Sequence, residues 1–217
     1  MDSIEQIIDL NNQGVNLLGH GDDQQAVSVF TTSLLALQRL IGVYQQACTP
    51  KGMEDEILEA TAVPAQCALQ HLEGSSYFIY NKPLAMNKIS THQSSDLQLY
   101  SACTILNLAL AYHRQAKRTC NQACLQKAEA MYDMIATLLR SRMDDTALFV
   151  RMISVNNLSE IHYEQGKYDQ TREELQWLSN IIHQGGSKLD FFNQGDLNLL
   201  LLNVLALLTP PQAAAAA

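Results

Sequence analysis

The sequence predicts an all-α fold of antiparallel helix hairpins stacked in a row and closed by a C-terminal capping helix. Two observations carry that expectation. Three segments repeat one pattern of small and large residues at matching intervals, which marks a repeat architecture. The composition, 47% apolar and 17% charged with ten Gly and five Pro, is that of a folded chain with room for long helices. At 217 residues, a single domain or short repeat array accounts for the whole chain.

The first copy spans about residues 4–46 and carries Leu10, Gly14, Leu17, Gly21, Ala26, Phe30 and Ser33. Its first helix should end near Gly19-His20-Gly21. Asp22 or Asp23 then caps a second helix running from about Gln24 to Gln46. The second copy, residues 97–142, places Ile105, Leu108, Ala109 and Tyr112 at the equivalent positions, with Ala128 and Tyr132 opening its second helix. Here Ala116 stands in place of the turn glycine, and residues 117–125 should lengthen the loop. In the third copy, residues 146–184, the run Val155-Asn156-Asn157-Leu158-Ser159 leads to Gly166, where a residue free to take positive φ ends the helix. Lys167-Tyr168-Asp169 starts its partner helix, which continues through Thr171, Leu175 and Leu178.

Residues 47–96 do not repeat. They hold Pro50, Pro64 and Pro83 and an acidic run from Glu54 to Glu59, and allow a helix interrupted near Pro64. The β-branched and aromatic stretch from Ser76 to Leu84 reads as an extended segment packed on the array, because Pro83 opposes continued helix. An alternative is that this segment lies in the groove and regulates access to it. After Gly185-Gly186-Ser187, residues 191–208 should form the capping helix that covers the end of the stack, and Pro210-Pro211 ends it.

Small residue, large aromatic, turn glycine, alanine and aromatic at these intervals resemble the tetratricopeptide (TPR) family, whose unit is about 34 residues. Residues 146–184 resemble most closely the kinesin-light-chain subtype, with its Asn-Asn-Leu run and Gln-Gly-Lys-Tyr turn. The resemblance covers about residues 4–46 and 97–184 and implies a short right-handed superhelix whose concave groove holds a partner. Gln13, Ser33, Thr171 and the middle turn depart from the family pattern.

Charge and cysteine usage narrow the function. The formal net charge of −8 is concentrated in residues 1–75, where ten acids face Arg39 and Lys51. Such a surface repels phosphate backbones, so nucleic acid is not an expected partner. The basic stretch from Arg114 to Arg142 is a solvated edge or a docking patch for an acidic partner. Five cysteines without framework spacing suit reduced thiols, and Cys120 and Cys124 lack a second pair for a zinc shell. The acidic start lacks the features of a targeting segment. The apolar run Leu197–Leu208 is too short to span a bilayer, so a cytoplasmic protein without membrane insertion is expected.

No phosphate loop, nucleophile elbow or zinc-protease motif is present, and the six histidines are scattered. The expectation is a non-enzyme without cofactor or metal. His162 and Cys103 read as packing residues.

The candidate site is a row of asparagines. Asn12, Asn107 and Asn157 occupy one equivalent slot, which faces the concave surface under a TPR alignment. A row of side-chain amides suits the alternating N–H and C=O groups of an extended peptide. Arg114 follows Asn107, and Glu160 and Glu164 follow Asn157, along the same faces; Asn156 and Tyr163 are their neighbours. The competing reading is that these asparagines tie adjacent repeats together. The lysines of the chaperone-tail clamp found in some TPR proteins are absent, with Asn11 and Cys103 in their places. The expected partner is therefore an extended peptide or helical protein segment, bound in a groove whose asparagines are solvent-accessible in the free protein. The alternative is a structural subunit held through its convex face or its inserted segment.

Overall fold

The computed structural model describes residues 3–47, 62–64, 79–87, 94–142, 144–185 and 194–208. They form an all-helical protein: α1 (Ile4–Gly19), α2 (Asp23–Ala47), α3 (Ser94–Thr119), α4 (Gln122–Leu138), α5 (Asp145–Glu164), α6 (Tyr168–Gly185) and α7 (Gln194–Leu208). Two three-residue strands, β1 (Ala62–Pro64) and β2 (Leu84–Met86), pair antiparallel with Val63 opposite Ala85. Each helix packs on the next along the chain, and the alternate helices α1, α3, α5 and α7 also touch in turn.

Local signals set the helix ends. Ser3 Oγ accepts from Gln6 N at 3.2 Å, Asn121 Oδ1 from Ala123 N at 3.0 Å, and Asp144 Oδ1 from Ala147 N at 2.9 Å, so α1, α4 and α5 begin on side-chain caps. Asp22 caps α2 by accepting from Gln25 N at 3.1 Å, whereas Asp23 is buried. Gly166 (φ 75°) takes the left-handed turn expected of it, and Gly21 (φ 79°), just past the end of α1, takes one as well.

One sequence expectation is corrected. The middle hairpin has no lengthened loop: α3 runs on to Thr119, Ala116 is buried inside it, and Cys120 (φ 52°) supplies the left-handed turn residue. The added residues extend a helix because nothing between Lys117 and Thr119 breaks one, and Asn121 then caps α4. Residues 62–64 form a strand that ends at Pro64, and the helical stretches allowed on either side of it lie outside the described residues. The acidic run at 54–59, the break at 186–187 and the proline pair at 210–211 lie outside the described residues.

The core fills the space between hairpins. Ala26, Ala102, Ala109, Ala128 and Ala147 are fully buried, which lets helices approach closely around Phe30, Tyr132, Ile135 and Met152. Residues 79–87, called the strap below, join this core. Tyr80, Leu84 and Met86 belong to the main cluster, and Ile79 packs in a second one with Val15, Leu18, Phe30 and Leu108. Residues Asp23–Val43 of α2 are long and apolar enough to cross a membrane, with hydropathy 1.5, yet α2 packs here between α1 and α3. On α7, Leu200, Val204 and Leu207 face the core.

Two helical glycines should respond oppositely to alanine. A Cβ on Gly14 would sit 2.5 Å from the buried Phe30 ring, so Gly14→Ala should destabilise the protein by about 1–2 kcal/mol despite its better helix propensity. A Cβ on Gly42 meets nothing within 4 Å, so Gly42→Ala should stabilise by about 0.5–1 kcal/mol. Urea denaturation of the two variants checks both signs.

Candidate functional site: an asparagine row clasping extended backbone

The three asparagines of the repeated slot stand on α1, α3 and α5, and each grips one residue of the strap at two points. Asn157 Oδ1 accepts from Tyr80 N at 2.7 Å while its Nδ2 donates to Tyr80 O at 3.1 Å. Asn107 holds Leu84 in the same way, with both contacts at 2.8 Å. Asn12 does so with Met86, again at 2.8 Å for each contact. Each amide therefore replaces one rung of a neighbouring β-strand, which is how extended backbone can lie among helices with its polar groups satisfied. Between the clasps on Leu84 and Met86, Ala85 turns its backbone the other way, toward Val63 of β1.

Second partners fix the amides. Asn157 Nδ2 also donates to Tyr132 Oη on α4 at 3.1 Å, and Asn157 Oδ1 accepts from Asn156 Nδ2 at 3.1 Å, so both ends of this amide are fully used. Asn156 Oδ1 in turn accepts from Asn203 Nδ2 of α7 at 2.7 Å. Asn107 Nδ2 donates to Asn11 Oδ1 at 3.0 Å, and Asn11 Nδ2 donates to Leu84 O at 3.0 Å. Asn11, Asn107, Asn156 and Asn157 are all 0% exposed, so the expectation of solvent-accessible asparagines is wrong for all but the partly exposed Asn12. The cause is physical: the chain's own strap occupies the face on which they converge.

The other expected groove residues are committed to ion pairs or packing. Glu160 is buried between His113 Nε2 at 2.9 Å and Lys117 Nζ at 2.6 Å, and Lys117 also pairs with Glu164. Burial pushes the Glu160 carboxyl up, but the hydrogen bond and charge of His113, joined by Lys117, outweigh it and hold it at about 2. Arg114 lies 3.5 Å from the buried Asp23 carboxylate and Arg118 2.5 Å from it, so these arginines brace the α1–α2 turn. Burial raises the Asp23 carboxyl against both of them. Tyr163 packs edge-on against Tyr168 at 5.5 Å and borders the main core cluster. The basic stretch is thus largely spent internally: Lys127 lies over the Tyr112 ring, and Arg142 Nε pairs with Asp144 at 2.7 Å.

Cys103 and His162, both expected to be packing residues, are buried. Burial pushes the Cys103 thiol up to about 12. His162 borders a cleft of about 510 Å³ between α4, α5 and α6, beside Glu129, Asp133 and Glu174. Its Nδ1 lies 2.8 Å from Glu174 and its Nε2 3.3 Å from Glu129. Burial lowers its basicity, but the two carboxylates more than reverse that and raise its pKa. With a carboxylate beside each ring nitrogen, His162 ties α4 and α6 to α5. Among the described residues no group of three or more His, Cys, Asp or Glu could hold a metal ion.

Sequence reasoning missed Asn11, Asn203 and the latch at the start of the strap, where Lys82 Nζ reaches Asp196 Oδ1 of α7 at 2.6 Å. The Asn doublets at 11–12 and 156–157 were the available signal for the first. Nothing in the sequence pairs positions 82 and 196.

Replacing the buried clasp by a carboxylate should be costly. Asn157→Asp removes the donor to Tyr80 O and buries a charge, an expected loss of about 3–5 kcal/mol. Asn12→Asp, at a partly exposed clasp, should cost about 1–2 kcal/mol. Urea denaturation at pH 7 gives both values. No family model, curated protein or solved structure matches the chain.

Proposed function

We propose that this chain is a protein–protein interaction module of the TPR type, cytoplasmic and non-catalytic, whose concave groove recognises extended peptide backbone. The observation that carries the reading is the asparagine row. Successive first helices of the hairpins offer identical two-point clasps, and the asparagines meet residues 80, 84 and 86 through backbone atoms alone. Main-chain recognition of this kind supplies affinity independent of side chains, as strand addition does in peptide-binding proteins.

In the free chain the strap is the ligand. It is tethered at both ends, so it competes at an effective concentration on the order of millimolar or above, and a partner segment must exchange against that advantage. A structural subunit is the second reading, favoured by Leu202 and Leu205 on the outer face of α7, which are 62% and 66% exposed.

Severing the tether separates the two. Specific protease sites placed within residues 70–75 and 88–92 would leave the strap bound without covalent attachment. A fluorescent synthetic peptide of residues 77–88 should then enter the nicked protein, seen as a rise in polarisation, and excess unlabelled peptide should chase it out. A nicked protein that unfolds on cleavage, or keeps its original strap indefinitely, would show that the segment is a building element and favour the structural subunit.

A further inference from the structure

The strap's side chains define what the groove would select. Tyr80 is fully buried, edge-on to Phe149 at 6.1 Å, with its hydroxyl beside Asp196. Two residues on, Lys82 meets the same carboxylate. Asp196 is only 2% exposed, and among the described residues Lys82 is the one cation paired with it. A buried carboxylate that gets its counter-charge from the segment in the groove is a selectivity device, because any occupant without a cation there leaves it unpaired. Pro83 falls between the clasped residues, where the asparagines ask for no N–H, so its missing donor costs nothing. Leu84 and Met86 fill the core at the second and third clasps.

Resting on the peptide-groove reading, we infer that the partner is a protein segment carrying this same extended pattern. It has an aromatic residue at the first clasp, a lysine or arginine two positions later, proline next, then leucine and an unbranched apolar residue at the second and third clasps. The segment runs from α5 across α3 to α1. Asp196 on α7 acts as its charge selector and the asparagines as its sequence-blind grip. Positions 81 and 85, which are partly exposed, are free to vary.

The nicked protein with labelled 77–88 peptide bound measures this by competition. Peptides carrying Tyr80→Ala or Lys82→Gln should compete at least about tenfold more weakly than the parent peptide, and an Asn81→Ser peptide within about threefold of it. In an Asp196→Asn protein the penalty for Lys82→Gln should shrink to within about threefold while that for Tyr80→Ala persists. Exchange that ignores positions 80 and 82, or a Lys82→Gln penalty unchanged in the Asp196→Asn protein, overturns the selectivity inference and leaves the groove reading standing. Failure of every peptide to exchange overturns the groove reading, and this inference with it.

Discussion

An asparagine side chain carries one acceptor and one donor at nearly the spacing of a residue's own C=O and N–H, so it can stand in for one rung of a β-ladder. The fold depends on that equivalence. Backbone buried among helices must find partners for every N–H and C=O, and each polar group left without one costs about 1–3 kcal/mol. Asn157, Asn107 and Asn12 satisfy Tyr80, Leu84 and Met86 in turn, and β1 covers the opposite edge at Ala85. With the backbone of these three residues met, the strap can place Tyr80, Leu84 and Met86 in the core and link α1, α3 and α5.

The same logic explains why this interior tolerates so many polar side chains. On α5, Asn156, Asn157 and Glu160 are almost wholly buried, and each has partners on another element: Asn203 of α7, the strap with Tyr132 of α4, and His113 with Lys117 of α3. Removing any member strands another at low dielectric, so the network enforces one arrangement of the helices more than it adds net stability. Arg118, Arg114 and Asp23 do the same at the α1–α2 turn. Three of the charges that made residues 114–142 look like a basic edge, Arg114, Lys117 and Arg118, are consumed in this way.

Helix content and the asparagine slots were legible because both are written in a period: the same residue at the same position of successive hairpins. Turn glycine 166 was legible for its backbone freedom. The middle turn was not, since Cys120 has no side-chain signature for positive φ and the helix before it contains no breaker. Ser76–Leu84 announced an extended segment through its composition, and its docking in the groove was one of two readings left open. The sequence could not decide between them, because contacts such as Asn157 with Tyr80 or Lys82 with Asp196 join positions far apart that no repeat relates. Arg114, Glu160, Tyr163 and Glu164 were placed in the groove by helical spacing alone, which gives a face but not the neighbour that occupies it.

Amide hydrogen exchange of the intact protein tests the asparagine clasp most directly. If the clasps hold the strap as described, the amides of Tyr80, Leu84 and Met86 are strongly protected and exchange together, through release of the strap as one unit while α3 and α5 stay folded or through global opening. Exchange of these three amides at the rate of exposed chain, with α3 and α5 still protected, would show that the strap is not gripped by the asparagine row and would contradict the account.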